Sequence, residues 1–210
     1  LLAVLILFIC FYVYASLFGT PWEKAAQEAN IQSYLTKKYR TDFVIMKTKY
    51  NHLSETYQSY AFPKENPDLL FSVEQDQDAY AGYSDTYPKV LWESDGSSKM
   101  KAKIKQIFPN LDVPTFKALR IVERGEFYGP NIPTYEEVHA SQLGCSLTIN
   151  MKANWEKMNM KVEKQKIHDL SSYLKEEHFP ILVEIRYFEK EMHLNEKVYF
   201  LTEDGKIVEK

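Results

Sequence analysis

The sequence predicts an α+β protein: an N-terminal membrane helix, then two small units that each pack one helix on a few antiparallel strands. Three observations predict it. Residues 1–19 form an unbroken apolar and aromatic run from Leu1 to Gly19, and the first charged side chain is Glu23. Residues 23–39 and 158–179 carry apolar side chains at helical spacing. Between and after them, short runs alternate β-branched or aromatic residues with polar ones, as half-buried antiparallel strands do. The expected division is an anchor over 1–20, a first α+β domain over 21–112 and a second over 113–210.

At a rise of about 1.5 Å per residue, about eighteen helical residues span ~27 Å, close to the ~30 Å of bilayer hydrocarbon. Two readings fit the run. Val13-Tyr14-Ala15 before Ser16 matches a signal-peptidase site, whereas the apolar Leu17 and Phe18 beyond it and the interfacial Trp22 suit an uncleaved anchor. The anchor is the expectation, with the bulk of the chain extracytoplasmic, an orientation inferred and not read from a charged flank. Phe8 and Ile9 before Cys10 are not the small residues of a lipoprotein signal, so Cys10 reads as an apolar membrane cysteine.

The first unit opens with residues 23–39, which lack Gly and Pro and place Ile31, Tyr34 and Leu35 on one side. Thr20 before Pro21 supplies an N-cap followed by proline in the first helical turn, and Glu23 suits the positive end of the helix dipole. Residues 43–50 and 55–62 alternate as strands about the turn Asn51-His52-Leu53-Ser54, and Pro63 and Pro67 bracket a loop. A third strand over 69–74 sets Leu69, Phe71 and Val73 on one face. A helix on a three-strand meander closes these faces. Residues 84–108 read as helical, broken at Asp95-Gly96-Ser97, and the Pro109 to Pro114 stretch ends the unit.

In the second unit, residues 116–127 and 146–153 read as strands and 158–179 as a helix striped by Ile167, Leu170 and Leu174. Residues 181–189 and 197–202 form a closing pair that 206–208 extends through the turn signal Glu203-Asp204-Gly205-Lys206. No internal repeat links the two units.

The order of apolar anchor, Gly19-Thr20-Pro21-Trp22, a helix ending Tyr34-Leu35-Thr36-Lys37-Lys38-Tyr39, then Tyr50-Asn51, Phe62-Pro63-Lys64-Glu65-Asn66-Pro67-Asp68 and Gly82-Tyr83-Ser84-Asp85-Thr86-Tyr87 resembles the uncharacterised YfjL-like membrane-anchored proteins of Bacillus-type bacteria. The resemblance runs from Leu1 to about Trp92. It implies an extracytoplasmic, non-enzymatic protein with helix-on-sheet domains of PepSY or cystatin-like layout, and it supplies no catalytic residues.

The charged residues, 26 basic and 29 acidic for a net −3, are interspersed as on a soluble surface. Nucleic-acid binding is not expected: the densest basic stretch, KMKAKIK over 99–105, alternates with apolar or small residues and reads as one solvated face of a helix. Cys145 is the single cysteine beyond the apolar run, so no disulfide forms there. Four constellations carry the spacing of some chemistry. Glu74, Asp76, Asp78 and Asp85 have the acidic spacing of a calcium loop, but Ala79 holds the position that needs glycine. Cys145 with His139 or His168 has the elements of a thiolate nucleophile and base, with a buried small residue as the plainer reading. His139, His168, His178 and His193 lack tight metal spacing. Glu123 and Glu126 beside Arg124 read as a surface ion pair rather than an acid and base. No phosphate loop, GxSxG elbow or SxxK box is present.

Fifteen tyrosines and twelve phenylalanines are many, and Tyr50, Tyr57, Tyr60, Tyr80, Tyr83, Tyr87, Tyr128 and Tyr135 lie near strands and loops. They suit a sheet edge and core first, and a partner surface second. The expected function is therefore a membrane-anchored binding or interaction module, without catalytic, cofactor or metal residues, offering an envelope protein or peptide an exposed strand edge. The alternatives are an envelope hydrolase using Cys145 and His139, or a metal or ligand sensor in which Asp76, Asp78 and Asp85 converge.

Overall fold

The computed structural model describes residues 1–79, 81–109, 115–118, 128–139, 145–177, 181–188, 197–202 and 206–210. The fold is α+β. Its elements are α1 (Leu2–Phe18), α2 (Pro21–Tyr39), β1 (Phe43–Asn51), β2 (Thr56–Pro63), β3 (Phe71–Gln75), β4 (Tyr83–Asp85), α3 (Tyr87–Ile107), β5 (Thr115–Ala118), α4 (Tyr135–His139), β6 (Cys145–Lys152), α5 (Met160–Glu176), β7 (Ile181–Phe188), β8 (Lys197–Leu201) and β9 (Ile207–Glu209). Contacts divide the chain into two units, 1–91 with 123–132, and 92–122 with 133–210.

In the first unit, α1 carries no buried residue and is long and apolar enough to cross a membrane. It gives way to α2 across only Gly19 and Thr20. Gly19 has φ +66°, and a Cβ there would stand 2.5 Å from the Tyr57 hydroxyl and 3.0 Å from Tyr50, so both the backbone conformation and the space require glycine. Thr20 and Glu23 then form the expected cap, reciprocated. The Glu23 amide donates to Thr20 Oγ1 at 3.3 Å and the Thr20 amide to Glu23 Oε2 at 3.3 Å, while Tyr57 Oη donates to the same carboxylate at 2.8 Å. These hydroxyls, Thr20 first and Tyr57 next, hold the Glu23 carboxyl below its ordinary pKa.

The first sheet runs β1-β2-β3-β4, antiparallel throughout. The expected meander thus gains a fourth strand. Tyr83, Ser84 and Asp85 pair with Gln75, Glu74 and Val73 after a turn in which Gly82 takes φ +75°. Three residues between a turn and a helix are too short to show alternation, which is why residues from Ser84 onward resembled helix. The inner face of the sheet packs Ile31, Tyr34, Leu35 and Tyr39 of α2 against Phe43, Ala61, Phe71 and Val73. Tyr87 closes this core, its ring 4.9 to 5.2 Å from those of Tyr39, Phe43 and Phe71.

Helix α3 runs unbroken through Asp95-Gly96-Ser97, where a break was expected. Trp92, Gly96, Met100, Ile104 and Phe108 recur every fourth residue and all are buried. That continuous stripe outweighs the ~1 kcal/mol helix penalty of one glycine.

The second unit holds a five-stranded sheet in the order β5-β6-β7-β8-β9. It is mixed, not antiparallel as expected, because β6 pairs with β7 in parallel. The 17-residue α5 lies between them and returns the chain to the starting end, as a parallel crossover requires. β9 adds to β8 as the extension over 206–208 anticipated. Leu147, Ile149, Ile167, Leu170, Val183, Ile185 and Tyr187 are almost wholly buried. Of the expected strand over 116–127, only residues 116–118 lie within the described residues, as part of β5. The Pro114 end of the boundary stretch and the turn residues Glu203, Asp204 and Gly205 lie outside them.

Candidate functional site

Helix α2 carries Asn30, Ser33, Tyr34, Lys37 and Lys38 along one flank, at the spacing that makes helical residues neighbours. Opposite stand Ala81 and Tyr83 from the turn and strand that β3 holds in register. Together they line an open cleft of about 510 Å³. The rings of Tyr34 and Tyr83 lie 5.3 Å apart and give it aromatic surface, and Tyr83 Oη donates to Gln27 Oε1 at 2.6 Å. Burial raises the pKa of the Tyr83 phenol. Asn30, Ser33 and Lys37 are exposed and bring amide, hydroxyl and ammonium groups.

Behind the cleft lies a buried polar network. Asp85, with no exposed side-chain surface, accepts at Oδ2 from Lys38 Nζ (2.6 Å) and Tyr34 Oη (2.8 Å), and at Oδ1 from Tyr39 Oη (2.8 Å) and the Tyr87 amide (3.0 Å). Four donors satisfy the carboxylate. Lys38 Nζ also donates to Tyr34 Oη at 2.9 Å and sits 5.1 Å and 4.8 Å from the ring centres of Tyr34 and Tyr39. Burial first, and the Asp85 charge next, push the Tyr39 phenol far above the ordinary tyrosine range, so it stays a neutral donor. The arrangement ties α2, β4 and the start of α3 together. Chemically it presents hydrogen-bonding groups and a cation to the cleft while its carboxylate is fully engaged.

A second, independent constellation lies in the other unit. Glu163 of α5 is buried, accepts from Lys166 Nζ at 2.5 Å and from Tyr187 Oη at 3.2 Å, and Tyr187 lies 4.6 Å from the Trp155 ring. Beside α5, Lys103, Lys166, Asp169, Tyr173 and Glu176 line an open groove of about 430 Å³.

The calcium-loop residues do not converge. Asp85 points into the network just described, whereas Asp76 Oδ1 accepts the Asp78 amide at 3.1 Å in an exposed turn. Among the described residues no group of three or more His, Cys, Asp and Glu side chains is placed to hold a metal ion. Cys145 opens β6 opposite Ala118, and His139 is the last residue of α4. His168 is exposed on α5. His178, His193, Glu123, Arg124 and Glu126 lie outside the described residues, as does Tyr80. The basic run over 99–105 lies in α3 with Met100 and Ile104 buried and Lys101 and Lys105 exposed. Of the clustered tyrosines, Tyr57 and Tyr135 are buried, Tyr60 is exposed, and Tyr50, Tyr83, Tyr87 and Tyr128 are half-buried.

Sequence reasoning missed the Lys38–Asp85 pair. Tyr34, Lys38 and Tyr39 at spacings of four and five on a helix were visible, but Asp85 is drawn to them only through the pairing of β4, which was not foreseen.

Comparisons with known proteins bear out the resemblance as far as residue 77. No curated protein matches the chain significantly. A solved structure of a DUF5037 family protein from Ruminococcus gnavus ATCC 29149 is similar to it at a TM-score of 0.43 and 14% identity, over 77% of this chain and 75% of that one. The resemblance carried by the apolar run and the first helix and strands is shown directly: residues 1–77 match the family described as YfjL-like, N-terminal domain.

Proposed function

We propose that the chain is a membrane-anchored, extracytoplasmic binding or interaction module without catalytic chemistry, with α1 as its anchor and the remainder as two domains over 21–112 and 113–210 of PepSY or cystatin-like layout. The observation that supports it is the open cleft beside α2. Its lining offers aromatic surface from Tyr34 and Tyr83, hydrogen-bonding groups from Asn30 and Ser33 and an exposed cation at Lys37, while the nearby Asp85 is satisfied within the fold. That combination suits an extended peptide or protein segment with an acidic or carbonyl group to present. A cleft held by a fully bonded network is preorganised, which lowers the cost of binding.

A photo-crosslinking residue at position 37 in the full-length protein, expressed in its own cells, tests the reading against the same residue at position 65. The expected result is one discrete envelope or membrane adduct from position 37, absent from position 65 and lost on Tyr83→Ala. Equal labelling from both positions, or none from either, removes the cleft as the binding surface.

A further inference from the structure

The hairpin joining β1 and β2 is built unlike a mobile loop. Asn51 pairs with Thr56 at its base, the Leu53 amide donates to Asn51 Oδ1 at 3.1 Å, and the hydroxyls of Ser54 and Thr56 lie 2.6 Å apart. Glu55 completes the reversal at φ +53°. At the tip of this ordered turn Leu53 is 85% exposed. One exposed leucine alone means little. Its position means more, because the base of the hairpin is fastened to the end of α1: Tyr50 and Tyr57 crowd Gly19, and Tyr57 Oη bonds Glu23 just beyond it.

The same end of α1 carries an aromatic belt. Tyr14, Phe18 and Trp22 are exposed there, the first two with rings 5.2 Å apart. Trp and Tyr gather at the level of lipid headgroups. With this belt in the headgroup layer, the adjoining hairpin base lies at the membrane surface. Lys47 and Lys49 of β1 and Glu55 of the turn are all exposed, so the contact rests on the apolar and aromatic side chains and not on net charge.

We propose that the β1–β2 turn is a second membrane contact, in which Leu53 enters the lipid interface beside the emerging helix so that the first unit is held at two points. The inference rests on the reading of α1 as the anchor. Its occupant is the bilayer that α1 crosses, and the depth expected is that of interfacial apolar side chains, ~5–10 Å into the headgroup and acyl boundary.

The test uses the full chain in a Cys10→Ser/Cys145→Ser background with a fluorophore on Leu53→Cys or, in a separate protein, on Glu65→Cys, an exposed loop site beyond β2. Each is reconstituted into vesicles of phosphatidylcholine and phosphatidylglycerol carrying nitroxide lipids. Both proteins are expected to float with the vesicles, with the position 53 label quenched several-fold more than the position 65 label and blue-shifted in emission. Flotation with equal quenching at the two positions overturns the hairpin contact and leaves the anchor intact. Failure to float removes the anchor reading and the second contact with it.

Discussion

Asp85 is the meeting point of the first unit's buried polar network, because three side chains and one backbone amide converge on its carboxylate. Truncating one partner of a buried ion pair strands the other charge, at about 3–5 kcal/mol. Asp85→Ala is expected to lower unfolding free energy by that amount in denaturant titrations, with Lys38→Met costing less because Tyr34, Tyr39 and the Tyr87 amide still serve the carboxylate. The pair Lys38→Met with Asp85→Asn is expected to cost less than the sum of the two single changes, as coupled neighbours do. Protonation predicts a companion effect. Tyr57 is pushed up to about 12, chiefly by burial and then by its bond to Glu23, Tyr199 up to about 12, chiefly by burial and then by Glu209, and Tyr39 is raised well beyond these. Unfolded tyrosines ionise from about pH 10. The folded state therefore binds more protons there, and the contribution of these groups, complete below that pH, declines as pH rises through it. Denaturation midpoints followed between about pH 8 and 12 check the sign, and a flat profile counts against the buried phenols.

At the scale of elements, the junction between α1 and α2 is the most constrained site. Thr20→Ala removes half of the capping box and is expected to cost about 1 kcal/mol. Gly19→Ala meets both a left-handed backbone and the Tyr57 hydroxyl at 2.5 Å, so it is expected to lower the thermal midpoint more than Thr20→Ala does. Gly96→Pro is expected to cost ~3 kcal/mol or more if α3 is one helix, and far less if the chain breaks at that point. These elements differ in how plainly the sequence announced them. The α2 cap was legible because Thr20, Pro21 and Glu23 act locally, and β1 and β2 because alternation survives over a whole strand. The continuity of α3 was not, since Gly96 signals a break by itself and only its burial with Trp92 and Met100 reverses that signal. The parallel pairing of β6 with β7 follows from the length of α5, a clue present in the sequence but outweighed by the alternating pattern of the strands. The cleft was illegible for a different reason: it joins α2 to β4 across about fifty residues, and no local pattern encodes that meeting.

The whole molecule joins an apolar helix to folded units with a break of only two residues. A flexible linker would let a tethered domain sample a volume that grows with linker length, diluting its binding surface as it does so. Gly19 and Thr20 supply no such slack, and Gly19 is packed under Tyr50 and Tyr57. With α1 in a bilayer, the cleft beside α2 sweeps a thin layer parallel to the membrane as the protein diffuses sideways. For the binding role proposed above, its effective concentration would then be high for a segment displayed at that same height by another resident of the membrane, and low for an identical segment held nearer or farther. Selection by altitude would precede selection by chemistry.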